Sequence, residues 1–326
     1  MSSVKRLFRM DQHIIGLLVF LAILIVIMSL SSDHFLTFIN LLNILQQSAF
    51  IMILAFGMTY VLSTGGIDLS VGSIVGLSGG TTAWLLLHDV HIIFAIICGL
   101  LAGIAIGIIN GLLITKLNIT PFIATLAMMV IVRGILYVWT EAIPFRNYMK
   151  SNFDFFGQGK ILNIQFPIIM ALFLLLVLVF VYRKTRFGRY VIAVGSSKES
   201  VKLSGIKVNA LFLKVYALSG LIAAIAGIML ASRLTTVHPE MGKNYELEAI
   251  AAAIIGGTSL TGGKGSLIGT VLGTIILFTI KNALNLLNVH PYWETIVIGA
   301  IILLAVTINM WGGAFRRVTR SATEQA

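Results

Sequence analysis

Apolar residues gather along the chain in ten runs, at about 14–30, 40–62, 71–87, 92–115, 122–140, 166–182, 210–232, 247–261, 265–288 and 293–310. Short polar segments separate them. Each run is long enough to cross, or nearly cross, the hydrocarbon core of a bilayer, which takes about 20 helical residues. The pattern predicts an all-α polytopic membrane protein of about ten transmembrane helices. The first run follows Lys5, Arg6 and Arg9 as a signal peptide would. It is too long for a signal h-region, lacks an Ala-x-Ala cleavage site and precedes many further spans, so it reads as a retained first helix.

Composition agrees: 58% of the 326 residues are hydrophobic and 11% charged, outside the soluble globular range. The net charge of +11 does not signal nucleic acid, because its carriers sit at the ends of apolar runs. With alternating spans, one side collects Lys5, Arg6, Arg9, Lys116, the seven basic residues from Arg183 to Lys207, Lys264, Arg316, Arg317 and Arg320. The other holds Arg146, Lys150, Lys160, Arg233 and Lys243. Basic residues accumulate in cytoplasmic loops, so both termini are expected in the cytoplasm and residues 141–165 outside. The single cysteine, Cys98, lies in an apolar run. It reads as a core filler, with no disulfide framework or metal-site spacing around it.

Small residues recur every fourth position as Gly72, Gly76, Gly80; Gly99, Gly103, Gly107, Gly111; Ser219, Ala223, Gly227, Ala231; and Gly265, Gly269, Gly273. Such stripes let helix backbones approach closely in lipid, within one chain or across a seam between two copies. Gly65-Gly-Ile-Asp-Leu-Ser-Val-Gly72 is echoed by Gly256-Gly-Thr-Ser-Leu-Thr-Gly-Gly263. Both interrupt apolar runs at corresponding places, which predicts two related halves with paired broken helices, a frequent mark of a transporter's working centre. The loop from Glu141 to Gln165 carries Phe145, Tyr148, Phe153, Phe155 and Phe156. Those rings read either as an interfacial aromatic belt or as a landing surface for an external protein.

The segment Gly257 to Ser266 groups glycines, Lys264 and a serine as a phosphate-binding loop does, but it fails that pattern. The required first glycine falls on Thr258, and Gly265 follows the lysine where Ser or Thr is needed. The chain is not expected to bind ATP, and no nucleophile–base set or metal-binding constellation marks an enzyme. Polar residues inside spans are the better lead, since a charge near the bilayer centre costs roughly 2.5–3.5 kcal/mol on insertion scales. Arg133, Lys281 and Asp68 qualify, with the amides Asn43, Gln46, Gln47, Asn110, Asn282 and Asn285. Many neutral hydrogen-bonding groups and few carboxylates suit a polyhydroxylated neutral solute better than an ion relay. The candidate substrate pathway is Gln46, Gln47, Asp68, Asn110, Arg133, Asn282 and Asn285. Each also has a structural reading: Asp68 and Ser70 cap the third helix, Arg133 bonds backbone carbonyls at a kink, and Lys281 snorkels outward.

The one long basic segment, Arg183 to Lys207, contains Ser196 and Glu199 at capping-box spacing and Gly205 at a helix C-terminus. Ser197 to Ser204 is therefore predicted as a helix of about two turns, marginal alone in water. With Val201 and Leu203 available for contact, it reads either as a docking element for a soluble partner or as a solvated connector.

The chain resembles the permease subunit of bacterial monosaccharide (ribose-type) ABC importers. The resemblance lies in Gly65-Gly-Ile-Asp-Leu-Ser-Val-Gly-Ser73, in Phe187-Gly-Arg-Tyr190 through Ala193-Val-Gly195 and Leu203-Ser-Gly-Ile206, in Tyr245-Glu-Leu-Glu-Ala-Ile250, and in Gly256 to Gly265. It covers about residues 13–310. It implies one permease domain over 1–326 in the bacterial inner membrane, working as a homodimer or paired permease. It also implies a cytoplasmic ABC ATPase on a separate chain, a periplasmic sugar-binding protein and no cofactor. The loop at about 183–209 is then the ATPase-docking site, with Gly188, Arg189, Ala193, Gly195, Ser197, Glu199, Val201, Leu203 and Gly205 as candidate contacts. Phe145 to Ile164 and His238-Pro-Glu-Met-Gly242 depart from the pattern. Rival expectations are the same architecture carrying a nucleoside, a signal sugar or a branched amino acid; an ion-coupled secondary carrier; and a membrane scaffold.

Overall fold

A computed structural model describes residues 12–148, 152–290, 292–304, 306 and 307. The basic residues of both termini, Lys150 and the end of the last apolar run lie outside these. The chain forms α1 (Gln12–Ser31), α2 (Phe38–Ser63), α3 (Val71–Leu87), α4 (Ile92–Lys116), α5 (Pro121–Thr140), β1 (Phe145–Arg146), α6 (Phe155–Gln158), β2 (Lys160–Ile161) and β3 (Ile164–Gln165). It continues as α7 (Phe166–Lys184), α8 (Arg186–Ser196), α9 (Lys198–Leu203), α10 (Val208–Leu234), β4 (Thr236–Val237), α11 (Tyr245–Ile255) and α12 (Leu267–Leu286), then a helix α13 at Tyr292–Leu304.

Helices dominate because a backbone in lipid must satisfy its own hydrogen bonds. Among the described residues seven of them, α1, α2, α4, α5, α7, α10 and α12, are long and apolar enough to cross a membrane. α3 and the described part of α13 are shorter. The run at 247–261 departs from expectation: its helix, α11, spans only 11 residues and stops at Ile255. Gly256 and Gly257 follow, the latter at φ +89°, a backbone conformation that ends a helix without strain only at glycine.

The core is built around α10, which lies against α2, α3 and α4 with 78% of its apolar window buried, whereas α1 has 11%. The glycine stripes explain how α10 packs so closely. A Cβ on Gly103 would meet the Gly220 carbonyl at 2.6 Å, and one on Gly107 would run into the Tyr216 carbonyl. Close approach of bare backbones replaces the hydrophobic drive that lipid removes, and these stripes serve packing within one chain. Cys98 corrects the core-filler expectation, for it lies exposed on α4.

The 141–165 loop is neither a belt nor an open landing surface throughout. β1 pairs antiparallel with β4, Phe145 opposite Val237. Tyr148 and Phe153 are fully buried. The Tyr148 hydroxyl donates to the Ala231 carbonyl at 2.7 Å, Ser232 donates to the Phe153 carbonyl at 2.5 Å, and burial raises the Tyr148 phenol above its ordinary range. The loop is thus bolted onto the end of α10.

Candidate functional site

The two glycine-rich motifs form the breaks between α2 and α3 and between α11 and α12. In the first, Asp68 is fully buried. Its Oδ1 accepts from the Ser70 amide at 3.0 Å and the Ser70 hydroxyl at 2.6 Å, and its Oδ2 accepts from Ser219 of α10 at 2.8 Å. Asn110 of α4 donates to Ser70 Oγ at 2.7 Å. Thr125 of α5 accepts from the Leu69 amide at 3.1 Å, and the Tyr216 hydroxyl donates to the Ile67 carbonyl at 3.2 Å. Asp68 therefore closes the start of α3, where Ser70 sits at the N-cap without a capping bond of its own side chain. It also ties the break to α10, and through Ser70 to α4. Two of the predicted pathway residues, Asp68 and Asn110, meet in this cluster, away from any surface.

Arg133 goes elsewhere. Its Nη1 donates to the carbonyls of Pro239 at 2.6 Å and Met241 at 2.8 Å, in the segment joining β4 to α11. It bonds carbonyls, as the structural alternative held, but those of a distant loop instead of a kink in its own helix. Beside it the Tyr137 hydroxyl donates to Glu240 at 2.9 Å, and Lys243 pairs with Glu240 at 2.7 Å. Lys243 first, and Tyr137 second, hold the exposed Glu240 carboxyl below its usual range.

The amides divide. Asn282 of α12 exchanges two hydrogen bonds with Asn40 of α2, at 2.9 and 2.7 Å. Asn40 also donates to the Phe35 carbonyl at 2.8 Å. Gln46 is half-buried, and Asn43, Gln47 and Asn285 are exposed on the same two helices. Lys281 does not snorkel outward: its ammonium bridges Glu248 of α11 and Glu294 of α13, each at 2.9 Å. Glu246 and Glu248, both buried, escaped the sequence reading of the spans. Their signal was the Tyr-Glu-Leu-Glu opening of an otherwise apolar run, with Lys281 as the cation needing a partner.

In the 183–209 loop, helix α9 is capped one residue later than predicted. Ser197 Oγ accepts from the Ser200 amide at 3.2 Å. Ser196 belongs to α8, donating to the Ile192 carbonyl. Gly205 ends α9 at φ +78°, with its amide bonded to the Lys202 carbonyl at 3.1 Å and the Ile206 amide to the Val201 carbonyl at 3.4 Å, the paired bonds of a Schellman motif. Val201 is buried at 6%, so it anchors α9 instead of offering a contact, while Leu203 is 90% exposed. Arg189, Ser197, Glu199 and Gly205 are exposed, and Ala193 half-buried. Gly188 and Gly195 face inward: a Cβ on the first would run into the Tyr182 carbonyl, and one on the second into the Ser63 carbonyl.

Two interrupted helices, a buried cluster of hydroxyls and amides, and a loop carrying its own capped helix fit a polytopic membrane permease. Residues 40–306 match the family model described as the permease component of the branched-chain amino acid transport system. The chain belongs to this family of translocation subunits, on its ribose-type branch. It is 43% identical over 291 residues to the ribose import permease protein RbsC of Bacillus subtilis, covering 89% of this chain and 90% of that one. It is 40% identical to the D-allose transport system permease protein AlsC of Escherichia coli, over 90% of each chain. With the galactose/methyl galactoside import permease protein MglC of Escherichia coli the identity is 38%, over 90% of this chain and 93% of the relative. No solved structure matches the chain at a significant level.

Proposed function

We propose that this chain is the inner-membrane permease subunit of an ATP-driven importer and passes a monosaccharide of the ribose class into the cytoplasm. The observation that carries the reading of the path is the exposure of Asn43, Gln47 and Asn285, with half-buried Gln46 beside them, on α2 and α12. Amides facing hydrocarbon cost free energy that lipid does not return, so such residues face a bundle interior or an aqueous path. A second copy of the chain placed against α2 and α12 turns this face into a shared path. Neutral amides there hydrogen-bond sugar hydroxyls without demanding a charge. Asn282, bonded to Asn40, ties α2 to α12 beside that face.

The chain makes ten crossings in two related halves, α11 with its break counting as one, and both termini are cytoplasmic. One domain, 1–326, carries the 183–209 loop as the docking site for an ATPase encoded on a separate chain. Leu203, with the exposed Arg189, Ser197 and Glu199 of the same loop, presents the contact. A periplasmic binding protein delivers the sugar to the face bearing 141–165 and 238–242. The sugar names of all three relatives favour this cargo over a branched amino acid, and Glu248 is committed to Lys281 instead of standing free for an ion relay.

Gln47→Leu and Asn285→Leu are expected to lower the maximal rate of radiolabelled ribose uptake about tenfold, roughly the loss of one or two hydrogen bonds in the passing complex. Expression and ATPase co-purification should be unchanged. Normal uptake by both variants would remove the path from this face.

A further inference from the structure

Four chain segments meet at one point beside the docking loop. The Gly263 amide, in the second break, donates to the Ser63 carbonyl at the end of α2 with a 3.0 Å bond. Gly195, at the end of α8, lies on the same two groups so closely that its Cβ would overlap both. A Cβ on Gly262 would stand 2.8 Å from the Gly195 carbonyl oxygen and 2.8 Å from the Gly65 amide nitrogen. One on Gly263 would stand 2.6 Å from Ser196 Oγ. Tyr182, ending α7, closes the point with a 2.8 Å hydroxyl–hydroxyl bond to Ser63. Gly65, Gly262 and Gly263 all have φ between +76° and +83°, which L side chains adopt only under strain.

The other end of α8 is also fixed to α2. Phe187 stacks on Tyr60 at 6.0 Å, and Tyr60 meets Tyr182 edge to face at 5.1 Å. A helix clasped at both ends cannot shift without carrying its contacts with it, since packed interiors deform in discrete steps instead of yielding gradually. α9 follows α8 directly, joined through Ser197.

We infer that this backbone junction of Ser63, Gly65, Gly195, Gly262 and Gly263, closed by Tyr182, is where movement of the docking loop enters both broken helices. Gly262, Gly263 and Tyr182 are thus positioning residues for transport. The junction has no room for an atom of slack between α8 and the breaks. A displacement of α9 therefore reaches the α2–α3 and α11–α12 turns together, and both halves respond to a single push. The inference rests on the docking role proposed for the loop.

The test measures ribose uptake and ATP hydrolysis together in proteoliposomes holding the permease with its ATPase and binding protein. Gly262→Ala wedges a methyl between α8 and the first break. It should keep ATPase co-purification and ribose-stimulated hydrolysis while sugars moved per ATP fall about tenfold, the order carried by a packed coupling contact. Tyr182→Phe keeps the ring and removes the closing hydroxyl, and should lower the same ratio about twofold. A purely structural role would lower protein yield and leave the ratio unchanged in whatever protein assembles. An unchanged ratio in Gly262→Ala overturns the inference; if that variant does not assemble, an unchanged ratio in Tyr182→Phe does so. Leu203→Glu separates the underlying reading: undiminished ATPase co-purification there refutes docking at α9, whatever the junction variants do.

Discussion

In the first break every polar side chain, Thr64, Asp68 and Ser70, is buried, and the hydroxyls of Ser70 and of Ser219 on α10 converge on one carboxylate. In the second, Thr258 is buried and accepts from the Ser266 amide at 3.4 Å, but Thr261 and Lys264 are exposed and Ser259 half-buried, with a local bond between the Ser259 and Thr261 hydroxyls. The two breaks share a glycine-rich sequence and differ in how they are held. The first is locked by side chains reaching in from α10 and α4. The second is held by backbone contacts at the junction and, one helix away, by the Lys281 pairing of α11 and α12 with α13. The difference is one of means: side-chain hydrogen bonds hold the first turn, and close backbone packing against α8 holds the second.

Removing the lock should have the largest effect. Asp68→Leu strands the Ser70 amide, the Ser70 hydroxyl and the Ser219 hydroxyl without an acceptor, and should destabilise the protein by about 4 kcal/mol, at about 1–3 kcal/mol for each buried group left unpaired. Asp68→Asn keeps one acceptor oxygen and should cost less. Retention of the monodisperse peak after graded heating in detergent reads both variants, and identical midpoints for Leu, Asn and the unaltered protein would erase the contrast between the breaks.

Lys281→Met should come next, at about 2 kcal/mol. Breaking a buried pair by removing one partner costs about 3–5 kcal/mol, and the value is reduced here because Glu294 is 36% exposed. Double substitution with Glu248→Gln should recover part of the loss. A double variant no better than the single one would mean that Lys281 holds α11 by its alkyl stem alone. The smallest effect belongs to the second break itself: Ser259→Ala and Thr261→Ala should each stay within about 0.5 kcal/mol. A shift as large as that of Asp68→Asn would show this turn to be locked as well.

Legibility followed range. Gly205 was readable as a helix-ending glycine because the C-terminal motif is local, needing only Lys202, Val201 and Ile206 within one turn. The cap at α9 was misplaced by one residue because Ser196 and Ser197 both offer a hydroxyl, and only the continuation of α8 through Ser196 chooses between them. Asp68 was readable as a cap two residues ahead of Ser70 at the start of α3, while its bond to Ser219, 151 positions away, was not. The buried Glu248 is not legible as a paired group because its partner, Lys281, lies on another helix. Arg133 was recognised as an intramembrane cation, yet its acceptors sit more than 100 residues away.

What the sequence by itself determined about this protein is its solvent and its punctuation. Run length and hydrophobicity set an all-α membrane chain, basic residues set an expected orientation, and paired glycine clusters marked the breaks, because each depends on residues adjacent along the chain. The tertiary structure decided which polar groups meet: Asp68 with Ser219, Lys281 with Glu248, Asn282 with Asn40, and Gly195 with both breaks. Those pairings arise from helix packing at backbone contact distance, and in lipid a polar group takes whichever partner that packing brings within reach.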